Sequence, residues 1–166
     1  MSRLGILGGT FDPIHHGHLI MASYAADDLQ LDRVLIMPAQ TPPHKLDRRI
    51  SRSEDRVEMI RLAIEPDRRL ELSTLDLRSD APSYTAVLLE VLQDEPPGAE
   101  LVFLIGADSL RDLPTWHRPD LVIQRAQLAV ARRPGIEIDD DVLDALPGLR
   151  DRTSVFTSPL IDISST

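Results

Sequence analysis

The chain has no cysteine, one lysine and no apolar run approaching a membrane span. Lack of cysteine rules out disulfides and fits a cytoplasmic setting. A bilayer helix needs roughly 20 apolar residues, and no stretch comes near that. The N-terminus lacks a basic start followed by an apolar block, so no secretory signal is read. Positive charge is scarce too: 18 basic residues face 27 acidic ones, a formal net charge of −9. Broad nucleic-acid binding needs a basic face, so that class is excluded. Two familiar phosphate motifs are also missing, since neither G-x-x-x-x-G-K-[ST] nor G-x-G-x-x-G occurs near the N-terminus.

What remains is a chain of 166 residues, 42% hydrophobic and 27% charged, as in one ordinary globular domain. Its most informative stretch runs from Gly5 to Leu19, GILGGTFDPIHHGHL. Leu4, Ile6 and Leu7 read as a buried strand, and Gly8-Gly9 removes side chains at the turn that follows. Thr10, Phe11, Asp12 and Pro13 make a bend, and Gly17-His18 leads into a helix. A strand, a glycine turn and a helix N-terminus together form an anion site, because unpaired N–H groups and the positive dipole end face the ligand. His15 and His18, three apart at the helix start, share a face and can both point at that anion. A zinc reading lacks third and fourth ligands nearby. The Asp12 carboxyl, followed at once by Pro13, reads as a turn or cap residue rather than a catalytic acid.

Strand and helix patterns alternate along the rest. Gly17 to Leu29 reads as a helix, Val34 to Met37 as a short strand, and Ala39 to Arg52 as a loop with Pro42-Pro43. Ser51 and Glu54 resemble a capping box, with Val57, Ile60, Leu62 and Ile64 as the apolar side of the helix they open. Leu70 to Leu72 is a weak strand, Thr85 to Leu92 a helix, and Leu101 to Ile105 the clearest strand. Leu128 to Ala131, a short helix from Asp141 to Leu146, and a strand at Val155-Phe156 follow. The pattern predicts an α/β fold: a Rossmann-like open parallel sheet with helices on both faces. Such sheets bind ligands beyond the carboxyl ends of their strands, near the point where strand order reverses. Gly8-Gly9, Pro38 to Lys45, Gly106 to Asp108 and Arg132 to Pro134 each follow a predicted strand, so they are expected to meet at one rim. Lys45, Arg48, Arg49, Arg52 and Arg56 form a basic cluster that would flank a phosphate site. The acidic stretch from Glu137 to Asp151 reads as a solvated far face.

Two central segments bear on a second ligand. Ser83-Tyr84-Thr85 precedes a helix, where Ser or Thr is most often only a cap. Gly106 to Val122 holds the sole tryptophan, Trp116, in a polar, proline-flanked setting. A flat ring there could stack on a planar ligand, or pack beneath a loop.

GGTFDPIHHGH resembles the signature of the nucleotidyltransferase superfamily that carries the H-x-G-H motif, here His15-His16-Gly17-His18. ISST at Ile163 to Thr166 resembles its second signature. With PPHK, SYT, GADSL…W and VARRPG, the likeness extends along most of the chain and is to the nicotinate-nucleotide adenylyltransferase family. That resemblance implies adenylyl transfer from ATP to nicotinate mononucleotide, giving deamido-NAD and pyrophosphate. It implies His15, His18 and Lys45 as catalytic residues, with Gly8, Gly9, Thr10, Phe11, His15, His18, Gly106, Asp108, Arg133 and Ser165 along the ATP. Thr85, Ala86, Trp116 and His117 would enclose the nicotinate ring. Mg²⁺ would accompany the triphosphate with few direct protein ligands, so no metal residues are expected. The partners implied are these small molecules, with no membrane and with room for a homo-oligomer. A phosphopantetheine adenylyltransferase shares the two end signatures, and a non-catalytic nucleotide-binding module would keep the cradle alone. The family pattern also expects an arginine and a final helix after ISST. The expectation is therefore a single domain over residues 1–166 that lacks those parts.

Overall fold

In the computed structural model, residues 1–40, 49–78, 80–94, 97–132, 135 and 137–159 are described. Lys45, Arg48, Arg133 and Ser165, with the PPHK and ISST segments, lie outside them. Six strands form one sheet: β1 (Arg3–Gly9), β2 (Arg33–Pro38), β3 (Leu70–Leu72), β4 (Glu100–Gly106), β5 (Gln127–Arg132) and β6 (Thr153–Thr157). All pairings are parallel, in the order β3-β2-β1-β4-β5-β6. Strand order reverses between β1 and β4, the place where a crevice opens in such sheets.

The apolar runs that mark β1, β4 and β5 are continuous because each strand is buried on both faces. Leu101, Phe103 and Ile105 join one core cluster with Leu4, Ile6, Leu128 and Val130. Val102 and Leu104 join the other, with Leu7, Ala129 and Ala131. Alternate side chains of one strand thus feed two cores. The first is covered by α3 (Thr85–Gln93), α4 (Ala107–Asp112) and α5 (Pro119–Arg125), the second by α1 (His16–Asp28) and α2 (Ser53–Ile64). A short α6 (Asp140–Leu143) precedes β6. Among the described residues no helix is long and apolar enough to cross a membrane.

Three sequence expectations need correction. The helix expected to start from a Ser51–Glu54 capping box has Arg52 at its N-cap, without a side-chain cap bond. Ser51 is otherwise engaged, its N–H on Asp12 Oδ2 at 2.9 Å and its carbonyl on Arg56 Nε at 3.1 Å. The buried stripe of α2 is Arg56, Ile60 and Ile64, while Leu62 is exposed. Finally, the polar, proline-flanked stretch from Gly106 to Val122, where no element was expected, contains α4, the 3-10 turn Leu113–Thr115 and the start of α5. Leu110, Leu113 and Val122 are fully buried there, so tertiary packing supports helices too short to show a period. The acidic stretch is solvated as expected: Asp140 and Asp144 are exposed and pair with Arg150.

Candidate active site

The carboxyl ends of β1 and β4 lie side by side, so the Gly8–Pro13 bend and the Gly106–Asp108 turn leave the sheet next to each other. Gly8 is exposed although Leu4 to Leu7 before it are buried. A Cβ at Gly8 would meet only the Phe103 ring, at 3.9 Å. The sheet is therefore open to solvent at its centre, with Phe103 as floor. At Gly9 the space is closed: a Cβ would come within 3.2 Å of the Phe11 ring. Phe11 is 2% exposed and has φ of +50°, a left-handed conformation that costs a side-chain-bearing residue roughly 1–2 kcal/mol. Its ring, packed over Gly9 and edge-on to His18 at 4.9 Å, holds it there. The Phe11 side chain is thus closed to a ligand, which narrows the expectation for that residue.

His15 is the N-cap of α1, a role usually filled by Ser, Thr, Asp or Asn. Its Nδ1 accepts from Gly17 N at 3.1 Å, and His18 Nδ1 accepts in return from His15 N at 3.2 Å. The two half-buried rings stack with centroids 3.8 Å apart and planes at 24°. A neutral imidazole whose Nδ1 accepts must carry its proton on Nε2. The helix start thereby fixes the tautomer of both rings, each with Nε2–H as the donor. Burial, and secondly the neighbouring His16, hold His15 below the ordinary imidazole range, so the neutral form persists at neutral pH. Gly17 is required by this stack: a Cβ would sit 2.9 Å from His15 Cε1 and 3.0 Å from Nδ1.

Beneath the bend lies a buried cation. Arg56 is 2% exposed and donates to the carbonyls of Thr10, at 2.9 Å, Ala39, at 2.8 Å, and Ser51. Of the basic cluster expected to flank phosphate, Arg49 and Arg52 are exposed, Arg52 beside Glu54 at 3.5 Å. Arg56 points inward instead. Burial lowers its pKa, and Asp12 and Asp76 oppose that shift. The Asp12 carboxylate acts as a tie between loops, consistent with a turn residue.

The second group of expected residues also converges. Tyr84, the N-cap of α3, stacks on His117 with centroids 4.3 Å apart and planes at 23°. This brings Thr85 and Ala86, in the first turn of α3, to Trp116-His117. The cap reading of SYT does not hold, because no side chain caps α3. Ala86 is 1% exposed, with its side chain in the core and its carbonyl accepting from Arg125 Nη1 at 3.0 Å, so its side chain is closed to a ligand. N–H groups in a first helical turn lack intrahelical partners and suit a carboxylate. Trp116 is half-buried, packed on the core and edge-on to Phe103 at 6.2 Å. The ring thus packs on the core while staying partly exposed. Gly106 begins α4 with open space where a Cβ would be, and the Asp108 side chain is exposed, 3.6 Å from Arg111.

Sequence reasoning missed Asp76 and Phe103, placed Arg56 among the phosphate-flanking charges and gave Tyr84 no role of its own. For Arg56 a signal existed: it stands four and eight residues before Ile60 and Ile64, a charge in line with a buried stripe. Phe103 was concealed inside a uniformly apolar strand.

Comparison with known proteins adds independent findings. Residues 6–166 match the model of the family described as cytidylyltransferase-like. A probable nicotinate-nucleotide adenylyltransferase of Thermomicrobium roseum is 50% identical, over 99% of this chain and 78% of its own length. One from Roseiflexus sp. is 43% identical over 98% of this chain and 82% of its own. Among solved structures, a Plasmodium falciparum nicotinic acid mononucleotide adenylyltransferase complexed with NaAD superposes with a TM-score of 0.79. At 19% identity, over 99% of this chain and 81% of that one, that likeness speaks for the fold.

Proposed function

Because the chain belongs to the cytidylyltransferase-like family, among its nicotinate-nucleotide adenylyltransferases, we infer the following reaction. It transfers the adenylyl group of ATP to nicotinate mononucleotide, giving deamido-NAD and pyrophosphate, a step of NAD biosynthesis. The observation in the molecule that best supports this is the reciprocal cap at His15 and His18. Two Nε2–H donors and a glycine bend stand together at the point where strand order reverses.

The chemistry asks little of the protein as a base. A phosphate monoester has its second pKa near 6, so the mononucleotide is largely dianionic at neutral pH. One of its oxygens attacks the α-phosphorus of ATP in line, and the bond from that phosphorus to the bridging oxygen breaks. The electron pair leaves on pyrophosphate. What must be supplied is alignment and stabilisation of negative charge. In this proposal His15 and His18 donate to the triphosphate, while main-chain N–H groups of Gly9 to Phe11 receive further phosphate oxygens. Neutral rings can do this as hydrogen-bond donors, and bound phosphates would draw them toward protonation. Gly106 and Asp108 border the ribose, and Lys45, Arg133 and Ser165 complete the ATP end. Thr85, Ala86, Trp116 and His117 hold the nicotinate, its carboxylate on the first turn of α3 and its ring against Trp116.

Among the described residues no group of three or more His, Asp or Glu side chains is arranged to hold a metal ion. The Mg²⁺ proposed here would enter with the triphosphate rather than be held by a protein cage, and would screen phosphate charge. With ATP as substrate, a cytoplasmic setting is part of the same proposal.

Pyrophosphate release tests the reading when ATP is offered with nicotinate mononucleotide, with phosphopantetheine, or alone. Turnover is expected with the mononucleotide. Turnover with phosphopantetheine only, or ATP binding without release, would overturn it.

A further inference from the structure

Arg56 has no part in the reaction as written, yet more of the site's main chain converges on it than on any residue described above. One terminal nitrogen bonds Thr10 O and Ala39 O, and Nε bonds Ser51 O. Around it, Ala39 N donates to Gly9 O at 2.8 Å, and Gln40 N to Asp76 Oδ2 at 3.0 Å. Ser51 N donates to Asp12 Oδ2. Asp76, from the 3-10 turn Leu75–Arg78, is itself 4% exposed. The bend after β1, the residues after β2, the approach to α2 and the turn after β3 therefore meet on one guanidinium.

The geometry has a consequence for the bend. In a trans peptide the C=O and the following N–H point opposite ways. Thr10 O is fixed on Arg56, so Phe11 N–H is turned away from it. Without the cation, the Thr10, Ala39 and Ser51 carbonyls would lose this donor beside the buried Asp76 and the half-buried Asp12, and the Thr10–Phe11 plane would lose its anchor. A lysine cannot copy the arrangement: an ammonium lacks the planar fork that reaches several carbonyls from fixed directions.

We propose that Arg56 is a positioning residue for the ATP site: it orients the Thr10–Phe11 peptide so that its N–H serves the triphosphate, without touching substrate. The proposal rests on the reading that the bend receives ATP. It separates Arg56 from residues that merely stabilise the sheet, because its effect falls on one substrate.

The test compares wild type with Arg56→Lys and Arg56→Gln by steady-state kinetics for both substrates, by ATP titration calorimetry and by thermal melts. A folded Arg56→Lys is expected to show kcat/KM for ATP lowered by about 10²-fold, as for a small misplacement of a binding group. Its KM for nicotinate mononucleotide should stay within about twofold, because α3 and Trp116 are not tied to the guanidinium. Arg56→Gln, without charge, should lose more than Arg56→Lys. Equal rises in both KM values, or wild-type ATP kinetics in folded Arg56→Lys, would overturn the proposal. So would failure of both variants to fold, which would make Arg56 a residue of global stability. Should wild type bind ATP yet release no pyrophosphate, the activity reading fails, and the ratio of ATP Kd values still decides the role of Arg56.

Discussion

Adding one methyl group at Gly17 separates the stability of the helix start from its chemistry. The new Cβ would lie 2.9 Å from His15 Cε1 and 3.0 Å from Nδ1, too close to persist, so the His15 ring must move. Moving it stretches or breaks the 3.1 Å bond from Gly17 N, a cap interaction typically worth about 1 kcal/mol. Alanine in place of glycine within a helix returns up to about 1 kcal/mol through propensity. These terms nearly cancel, and Gly17→Ala should melt within a few degrees of wild type. The stacked pair, however, loses its 3.8 Å arrangement, and with it the direction of the His15 donor. A donor misplaced by about an ångström can cost about 10²-fold in rate, near 2.7 kcal/mol of transition-state stabilisation. Pyrophosphate release under saturating ATP and mononucleotide measures the second effect, and denaturant melts the first. A variant with wild-type kcat would refute the argument. So would one whose activity loss is matched by a stability loss of several kcal/mol.

His18→Ala should lower kcat by roughly 10²-fold or more, the usual cost of removing one donor to developing charge; near-normal turnover would remove its central role. Trp116→Ala should raise KM for nicotinate mononucleotide about tenfold, the upper range for an aromatic contact, with KM for ATP little changed. A rise confined to ATP would put the ring in the other subsite. The depressed pKa of His15 gives stability a sign with pH. Near its ordinary value of about 6.5 the unfolded chain binds the proton more readily. The contribution is fully present above that pH and is lost as pH falls through the depressed folded value. Ligand-free melts from about pH 7.5 to about pH 5.5 should show wild type losing more than His15→Asn, in which an amide oxygen keeps the cap without titrating. A larger loss in the variant would reverse the sign.

Much of this was legible because the information is local. Gly8-Gly9 and the spacing of His15, Gly17 and His18 lie within one turn of chain, and Leu101 to Ile105 is apolar without interruption because both of its faces are covered. The open parallel sheet followed from alternation of strand and helix, though its strand order did not. Less legible were α4 and α5, of six and seven residues, whose buried Leu110 and Val122 depend on a distant core for any helical order. Arg56 was read as one of a basic cluster flanking phosphate, because two of its carbonyl partners are 46 and 17 residues away. That histidine would serve as N-cap could not be read from spacing alone, since a hydroxyl or carboxylate is the ordinary choice.

The account depends most on how the two imidazoles present themselves to ATP, and nitrogen-15 NMR of the histidine rings observes this directly. In the ligand-free protein at neutral pH, His15 and His18 should both appear as the Nε2–H tautomer. Adding ATP should move both Nε2 signals. Finding the Nδ1–H tautomer in either ring, or saturating ATP binding that leaves both Nε2 signals in place, would contradict it.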